Sequence, residues 1–424
     1  MDLLPPALTL ALLATACGGY DATTPTSDVV ADGADAVDAV DAVHAVDAVD
    51  AVDALDTSGP ARIVLAPGAL DPDYGDAGVV RVPTAWSPLG ILALPDGGVL
   101  IYGFPPPTVS GDLFHGTALR LTVHGDIDTS FGVDGAASLP SGATPLVALR
   151  LPDGSITLGG YYFELSVRPG IWRLRSDGSF DPDFGAAGVV RPSVGTAVCA
   201  LAVAEGGALR AFGYNGYAPE TVVLHLRADG TPDPAFGQAG AVKADLGLSV
   251  DYTNTCAPGD DGGFVLLLIR AGKATLVHVR ADGTQDPSFG HLGFLELESG
   301  ETVRDAAGRF IVAARNAAAR APRELAFTAL AGTAGGPLPQ RSGGGAIFAW
   351  GSRADGQSGI VAAAIRADGS NDVDYGTDGT FDLWRDLHLE ASQGVGVATL
   401  DATGNVTFAA HSDSGDLIVV RLGP

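Results

Sequence analysis

The sequence predicts an all-β protein, a seven-bladed β-propeller of four-stranded blades preceded by a disordered stalk. Three observations predict this fold: one phrase recurs six times, β-hairpin signals recur seven times, and no stretch between them shows helical periodicity. Glycine accounts for 59 of the 424 residues, as expected for short strands joined by tight turns. Self-similarity at a fixed spacing indicates a repeat architecture.

The recurring phrase combines an aspartate turn, an aromatic-glycine pair and a short β-prone run. Its glycine falls at positions 75, 132, 185, 237, 290 and 376, in steps of 57, 53, 52, 53 and 86 residues. Proline fixes φ, glycine takes positive φ and aspartate caps its own backbone, so we expect a turn that connects one blade to the next. The copies read LDPDYGDAGVV at Leu70, IDTSFGVDGAA at Ile127, FDPDFGAAGVV at Phe180, PDPAFGQAGAV at Pro232, QDPSFGHLGFL at Gln285 and NDVDYGTDGTF at Asn371.

Each unit is predicted to contain four strands, A to D. Strand A follows the turn, strands B and C flank an Asp-Gly or Gly-Gly hairpin, and strand D ends in a second Asp-Gly, as in VVLHLRADG at Val222. The 364 residues from 61 to 424 divide into seven units of 52, a length that favours a closed propeller over a β-solenoid, the alternative. The central hairpins lie near Asp96, Asp153, Gly206, Gly262, Ala307, Gly344 and Thr403.

The phrase DGxxDPxFGxxG resembles the delta-60 repeat, a bacterial family of unknown function that is described as propeller-like. Six near-complete copies carry the resemblance, which extends over nearly all of residues 66–424. The resemblance implies a β-propeller and a high-GC genome, with which the use of 22 Arg and only two Lys agrees. It implies no reaction and no ligand.

Residues 1–16 are predicted to be a signal peptide. The apolar run from Leu3 to Ala14 is too short to span a bilayer. The following LLATACGG resembles the lipobox of bacterial lipoproteins, which implies cleavage before Cys17, acylation of that cysteine and membrane attachment by lipid alone. Gly18 in place of an acidic residue implies the outer membrane, with the domain periplasmic or at the cell surface. Because Ala14 and Asp2 depart from the lipoprotein pattern, an ordinary secretory signal stays open.

Residues 17–61 are predicted to be the lipid attachment and a low-complexity linker, followed by the propeller at 62–424. From Asp32 to Asp56 every third residue is Asp except His44, so no face of a helix would be apolar. We expect a solvated spacer that could reach on the order of 100 Å. The net charge of −26 excludes nucleic acid as an expected partner and leaves the membrane to the lipid anchor.

The aspartates of the repeated turn, such as Asp177, Asp181 and Asp183, admit two interpretations. They are hard oxygen donors that could bind calcium, but a feature present in every blade favours a structural role, with the adjacent aromatics plugging the gap between blades. We therefore expect no cofactor and no metal. The paired basic residues of strand D, such as Arg173 and Arg175, share one face and are interpreted as a guard against edge-to-edge pairing.

Cys199 and Cys256 remain when Cys17 is set aside, and both precede a central hairpin in adjacent units. In an exported protein they could form a disulfide, unless the distance between blades exceeds the roughly 7 Å that the two Cα atoms allow. Two buried thiols are the alternative. For catalysis, HExxH, GxSxG, Walker A and CxxC motifs are all missing from the sequence, so we do not expect an enzyme.

The variable lengths fall in the A-B and C-D connections, which lie on one face of a propeller, and insertions collected on one face often mark a binding surface. We predict a monomeric, envelope-anchored module that binds a protein or carbohydrate there. A structural envelope protein and a periplasmic propeller enzyme of the lactonase or quinoprotein kind are the alternatives. The candidate contacts are the aromatic residues of these connections, Trp86, Phe104, Phe114, Tyr161, Tyr162, Phe163, Tyr214, Tyr217, Tyr252 and Trp384.

Overall fold

Strands and turns make up nearly all of the chain that the computed structural model describes. The predicted signal peptide, the linker and Cys17 lie outside the described residues. Within the described part, no helix has the length and apolar character needed to cross a membrane. The described residues are 65–83, 86–105, 115–163, 166–215, 218–245, 252–259, 262–270, 273–289, 291–296, 302–304, 310–313, 346–352, 358–366, 372–377, 379–388, 397–412 and 415–424.

The described strands form seven sheets, numbered I to VII along the chain, and all strand pairs within them are antiparallel. The first strand, β1 (Val79–Val82), belongs to sheet VII. Sheet I contains β2 (Ser87–Ala93), β3 (Val99–Phe104), β4 (Thr117–Leu121) and β5 (Ala136–Ser138). Sheet II contains β6 (Ala143–Arg150), β7 (Ile156–Phe163), β8 (Val167–Leu174) and β9 (Val189–Val190).

Sheet III contains β10 (Ala197–Val203), β11 (Leu209–Asn215), β12 (Ala218–Leu226) and β13 (Ala241–Asp245), with a single 3-10 turn at Glu205–Gly207. Sheet IV contains β14 (Tyr252–Pro258), β15 (Phe264–Arg270), β16 (Lys273–Val279) and β17 (Phe294–Glu296). Sheet V contains β18 (Thr302–Arg304) and β19 (Phe310–Ala313). Sheet VI contains β20 (Ala346–Ser352), β21 (Ser358–Ile365) and β22 (Thr380–Asp382), and the helix α1 (Leu383–Leu387) follows it.

Sheet VII joins the two ends of the described chain. It contains β23 (Val397–Leu400), β24 (Val406–His411) and β25 (Leu417–Leu422), and β1 pairs with β25 as its fourth strand. The amide of Gly68 also donates to the carbonyl of Gly423 at 3.1 Å. The N-terminal and C-terminal segments therefore complete one sheet together, and β1 covers the edge that β25 would otherwise expose.

The predicted position of the repeated turn within the unit is wrong. The run that follows the turn pairs back on the strand that precedes it, as β9 does on β8 in sheet II. The turn is closed by backbone hydrogen bonds across the two strands, from Asp181 to the carbonyl of Arg173 and from Arg173 to that of Gly188, both within 3.0 Å. Because such a turn returns the chain to its neighbour, it joins the third and fourth strands of one sheet and does not connect two sheets.

The core lies between neighbouring sheets. In β8 the consecutive residues Ile171 and Trp172 are both fully buried, and they pack into two different clusters. Trp172 packs with residues of sheet I such as Leu100, whereas Ile171 packs with residues of sheet III such as Leu224. Side chains alternate across a strand, so a sheet covered on both faces has continuous apolar runs, which explains why β3 reads VLIYGF.

The first strand of each of sheets I to IV contains one residue out of register. The interruptions lie between Pro88 and Gly90, Pro145 and Val147, Val198 and Ala200, and Thr253 and Thr255. A bulge of this kind bends the strand and changes the direction of the extra residue's side chain.

Candidate functional site

The two ends of the sheets carry different connections. Because the strands of a sheet alternate in direction, the first-to-second and third-to-fourth connections lie at one end, and the second-to-third connections and the links between sheets lie at the other. We call the first end the turn face and the second end the loop face. The error in the position of the repeated turn does not change this division.

The turn face is uniform in length. The first-to-second connection has the same length in all six sheets where both strands are described: 94–98, 151–155, 204–208, 259–263, 305–309 and 401–405. The third-to-fourth connection is longer, and it too has one length wherever it is continuous: 122–135, 175–188, 227–240, 280–293 and 366–379.

The loop face is not uniform. Among its second-to-third connections, the shortest are at 216–217 and 271–272, the longest is at 105–116, and those at 164–166, 353–357 and 412–416 lie between. Its links between sheets extend from the short ones at 83–86 and 139–142 to the long one at 383–396, where α1 lies. The sequence-based assignment of all length variation to one face agrees with these bounds.

The aspartates of the turn face cap their own turns. Asp177 accepts hydrogen bonds from the Ser179 hydroxyl and amide at 2.6 and 2.9 Å, and Asp229 accepts the same pair from Thr231. The side-chain bond from Ser179, followed by the backbone bond, lowers the pKa of Asp177. These carboxylates are therefore already engaged by the backbone. Within the described residues, no three His, Cys, Asp or Glu side chains converge as metal ligands.

The aromatic-glycine pair joins one sheet to the next. The amide of Gly132 in sheet I donates to the carbonyl of Asp177 in sheet II at 2.7 Å, and Gly185 in sheet II donates to Asp229 in sheet III at 2.7 Å. The preceding aromatics are fully buried, and the glycine of the next Asp-Gly turn packs directly on them, as Gly230 does on Phe184. A Cβ at that glycine would overlap the ring.

An arginine in the third strand forms a second link between sheets. The Arg173 guanidinium lies 3.9 Å above the ring of Phe184, binds the Thr157 hydroxyl at 3.2 Å and donates to the carbonyl of Ala228 in sheet III at 2.6 Å. Arg120 donates to the carbonyl of Ser176 at 3.2 Å. Arg421 donates to the carbonyl of Val123 at 2.8 Å and lies over the ring of Tyr74. We call these contacts arginine latches.

The interpretation of Arg173 as a guard of an outer edge is wrong. The edge of β8 is paired with β9, and the Arg173 side chain is buried against Phe184 and sheet III. Arg175, two residues later, is exposed. Burial lowers the pKa of Arg173, and the nearby Asp181 and Asp153 oppose this effect. A signal was present in the sequence, because Arg120 and Arg173 each lie five residues before the glycine of an Asp-Gly-type turn.

Sheets III and IV carry histidine at the position of the latch. His225 lies 3.1 Å from Asp233 of its own sheet and packs against Phe236. His278 has the equivalent contact with Asp286 at 3.1 Å. The bond from Ser288, together with those from His278 and Arg280, holds the pKa of Asp286 far below its usual range. The His225 imidazole is shorter than a guanidinium, and its described contacts stay within sheet III.

The two candidate disulfide cysteines are bonded to each other. Cys199 of β10 and Cys256 of β14 form a disulfide with their Cα atoms 5.6 Å apart, so it joins the first strands of sheets III and IV. Cys199 is the residue left out of register in β10, whereas Cys256 lies two positions beyond the equivalent residue of β14. The bulge was not visible in the sequence, and it changes the direction of the Cys199 side chain.

The candidate aromatics of the loop face divide into three groups. Trp86 and Tyr162 are core residues with 5% and 1% of their surface exposed, so their interpretation as binding residues is wrong. Tyr161, Phe104 and Phe163 lie at the loop-face ends of β7 and β3 and retain exposed surface. Phe114 and Tyr217 lie outside the described residues; Tyr214, Tyr252 and Trp384 belong to β11, β14 and α1, and their side chains are not described.

Tyr162 is buried because its neighbours enclose it. The Trp172 indole N–H donates to the Tyr162 hydroxyl at 2.5 Å with the two rings edge to face, and the Arg191 guanidinium covers the other side of the tyrosine ring at 4.1 Å. Alternation along β7 then directs Tyr161 and Phe163 to the opposite side of the sheet.

The end of the β7-β8 hairpin carries an apolar pair at the loop face. Phe163 and Val167 are cross-strand partners, and each is 37% exposed. Arg168, which follows Val167 in the chain, is exposed, and its Nε donates to the Ser166 hydroxyl at 3.2 Å. Phe163 and Val167 form a small apolar contact surface side by side. Arg168, the cross-strand partner of Tyr162, extends from the other side of the hairpin. We call Phe163, Val167 and Arg168 the hairpin tip.

Comparison with known families bears on the fold. Residues 151–184 match a family profile described as "Domain of unknown function (DUF5122) beta-propeller". The match covers β7, β8 and the turn through Phe184, within one of several four-stranded antiparallel sheets that pack side by side. The fold is a β-propeller. Its sheets are the blades, and the match assigns them no reaction. No curated protein matches the sequence.

Two solved structures are similar to the chain at low sequence identity. A protein of unknown function from Dyadobacter fermentans DSM 18053 is 11% identical, with a TM-score of 0.41 over 83% of this chain and 100% of that one. A subtype N10 neuraminidase-like protein of A/little yellow-shouldered bat/Guatemala/060/2010 is 11% identical, with a TM-score of 0.40 over 84% of this chain and 97% of that one. Similarity at this level assigns no ligand and no reaction to the chain.

Proposed function

We propose that the chain is an envelope-anchored lipoprotein whose β-propeller binds a partner at the loop face. The observation that carries the proposal is the difference between the two faces. Each kind of connection on the turn face keeps a single length from blade to blade, whereas those of the loop face are short in some blades and long in others. Insertions restricted to one face of a repeat protein often mark its binding surface.

The hairpin tip is the part of the loop face to which we assign contact with the partner. Phe163 and Val167 offer adjoining apolar surface, and Arg168 adds a charge that attracts acidic groups. The turn face also exposes aliphatic residues, Val123, Ile127 and Val133 at 77% in the 122–135 connection and Leu292 at 72% in another blade, but none of them is a cross-strand partner of another. Isolated apolar residues are common on protein surfaces, whereas adjoining ones favour contact with a protein or a carbohydrate.

We infer seven blades. The described strands belong to seven sheets, of which five have four strands, one has three and one has two. In the two shorter sheets, the strands present correspond to the predicted hairpin near Ala307 and to the strands that follow the one near Gly344. Each incomplete blade adjoins a part of the chain outside the described residues.

Export from the cytoplasm is supported by the disulfide. Disulfides form and persist in oxidising compartments such as the bacterial periplasm. A disulfide between Cys199 and Cys256 therefore agrees with a signal peptide at residues 1–16 and with lipid attachment at Cys17. The linker at 17–61 would then hold a monomeric propeller away from the outer membrane.

The anchor is tested by metabolic labelling with palmitate in cells that produce the full chain. We expect label on the wild-type protein, none on the Cys17→Ser variant, and accumulation of the unprocessed form with globomycin. Release of Cys17→Ser into the soluble fraction would accompany the loss of label. Label-free wild-type protein that is still cut near residue 17 would contradict the anchor and leave a secretory signal.

The binding face is tested by the retention of soluble Cys17→Ser protein on an envelope fraction from the same cells. We expect Phe163→Ser to lower retention at least tenfold and Val133→Ser, its matched control on the turn face, to leave it unchanged. Equal retention of both variants would contradict the face assignment. Absence of retention for the unmodified Cys17→Ser protein would instead favour a structural envelope protein without a discrete ligand.

A further inference from the structure

The boundary between sheets III and IV is held together differently from the other described boundaries. Four consecutive boundaries are compared first, those of sheet VII with I, I with II, II with III and III with IV. The boundary of sheet VI with VII is described at its turn face too, where Ala364 has the latch position. There, however, Tyr375 is fully buried and the Gly376 amide donates to the carbonyl of Pro67 at 3.1 Å. The first three of the four carry an arginine latch, formed by Arg421, Arg120 and Arg173. The fourth carries His225 in that position and, in addition, the disulfide.

The backbone link of the turn face is also absent from this fourth boundary. The amides of Gly75, Gly132 and Gly185 each donate across a boundary at 2.7 Å. The equivalent residues Gly237 and Asp282 are both described and form no such bond.

The aromatic residue of the repeated turn is also less buried at this boundary. Tyr74, Phe131 and Phe184 are fully buried, whereas Phe236 is half-buried. A Cβ built on the glycine of the next turn, Gly283, would be nearest to Val242 and Val223, whereas a Cβ on Gly125, Gly178 or Gly230 would lie within 3.3 Å of an atom of the aromatic ring. Three separate contacts of the turn face are thus weakened at one boundary.

The remaining described contacts of this boundary lie elsewhere. Arg210 of β11 donates to the carbonyl of Gly262 at 2.8 Å. The disulfide joins β10 to β14, and its cysteines are buried in the same core cluster as Phe212 and Phe264. The covalent bond therefore holds the first strands of the two blades together where the third strands lack their latch.

We propose that the boundary between sheets III and IV is a redox-dependent joint, in which the Cys199–Cys256 disulfide replaces the arginine latch and reduction opens this boundary before its described neighbours. Formation of the bond joins the two sulfur atoms and transfers two electrons and two protons to an oxidant. A dithiol such as dithiothreitol returns them, giving two thiols and a cyclic disulfide of the reagent. The propeller is then complete only in an oxidising compartment.

The opening is tested by hydrogen-deuterium exchange of the full chain with and without dithiothreitol. We expect reduction to raise exchange at least tenfold in residues 232–241 and 280–289, which form the turn face of the joint. Residues 175–188, at the neighbouring boundary, serve as the control and should not change. Equal acceleration at both boundaries, or none at either, would overturn the proposal.

The replacement is tested by restoring the latch. His225→Arg places a guanidinium where it can donate to the carbonyl of Ala281, the equivalent of Ala228. In a Cys199→Ala/Cys256→Ala protein we expect the unfolding temperature to fall by about 5 °C and His225→Arg to recover about half of that loss. In the oxidised wild type the same change should add clearly less. An equal gain in unfolding temperature in both backgrounds would mean that the arginine latch and the disulfide stabilise the protein independently, which would overturn the proposal.

A second variant moves the disulfide to the neighbouring boundary, so that the test does not depend on the folding of the cysteine-free protein. Arg173→His removes the latch between sheets II and III, and Leu146→Cys/Leu201→Cys places cysteines at the positions equivalent to Cys199 and Cys256. We expect the engineered pair to restore protection of residues 175–188 under oxidising conditions and to lose that protection with dithiothreitol. Protection that does not depend on dithiothreitol would contradict the joint.

Discussion

The turn face and the loop face of this propeller lie at opposite ends of the same strands. Residues of the turn face make contacts that recur from blade to blade, whereas residues of the loop face do not. On the turn face, Asp177, Gly185 and Arg173 each have partners fixed by the repeat, and their equivalents recur in other blades. On the loop face, the pair Phe163 and Val167 has no counterpart in the described blades and remains partly exposed. The repeat thus specifies the scaffold, and the surface that it does not specify is available for binding.

The largest expected effect comes from a glycine of the turn face. Gly185 has φ +58°, and a Cβ there would overlap the Val189 carbonyl and the Val190 side chain. We expect Gly185→Ala to lower the free energy of unfolding by about 3 kcal/mol, from backbone strain and overlap together.

Gly206 is the matched control for Gly185. It has φ +70°, and nothing lies within 4 Å of a Cβ built on it, so Gly206→Ala should lose only the strain, about 1 kcal/mol. Urea unfolding of both variants measures the difference. Equal losses would show that close contact on the turn face does not matter.

The next effect concerns the arginine latch. Arg173→Met keeps the aliphatic stem but leaves the carbonyl of Ala228 and the hydroxyl of Thr157 without the guanidinium. We expect a loss of about 2 kcal/mol, because buried polar groups without partners are costly. Arg175→Met, two residues along the chain and exposed, should change stability by less than about 0.5 kcal/mol. Similar losses in chemical unfolding would refute the latch.

The sequence alone predicted the turns of this fold, but it did not predict the strand pairing at the repeated turn or which aromatic residues of the loop face are buried. The repeated phrase located the turns because Asp-Pro and aromatic-Gly have strong local preferences. Six of the seven predicted hairpins lie between paired strands, and the one near Gly344 lies outside the described residues. The pairing of β9 with β8 was missed, because local preference does not state which neighbour a strand joins. The buried positions of Trp86 and Tyr162 were missed because aromatic residues near a loop are equally compatible with core and surface, and only packing against Trp172 and Arg191 decides for Tyr162.

A smaller effect is expected from acid. Hydrogen bonds from Ser179, Thr231 and Thr284 lower the pKa of Asp177, Asp229 and Asp282 in the folded state. A carboxyl with a lowered folded pKa stabilises the protein above its unfolded pKa of about 4, and this contribution is lost as the pH falls through the folded pKa. We therefore expect the unfolding temperature to decrease from pH 5 toward about pH 2.5.

Asparagine at the same three positions is the control for the acid effect. It keeps a side-chain acceptor but does not titrate, so the Asp177→Asn, Asp229→Asn and Asp282→Asn variant should show a shallower decrease over the same pH range. Thermal melts at matched ionic strength measure the slopes. Parallel slopes for the variant and the wild type would show that these turns do not contribute to acid sensitivity.

The smallest effect on stability is expected at the hairpin tip. Phe163 is 37% exposed, so Phe163→Ser should lower the free energy of unfolding by less than about 1 kcal/mol while it reduces retention on the envelope fraction. A large loss of stability would mean that Phe163 is part of the scaffold. The contrast with Gly185→Ala, which should unfold the protein more readily without altering the loop-face surface, separates the two faces.

The central claim, that the partner binds at the loop face, is tested most directly by photo-crosslinking in cells that produce the full chain. A benzoylphenylalanine replaces Phe163 at the loop face or Val133, which is 77% exposed, at the turn face. We expect a crosslinked adduct from position 163 and none from position 133. An adduct from position 133 alone, or from neither position, would contradict it.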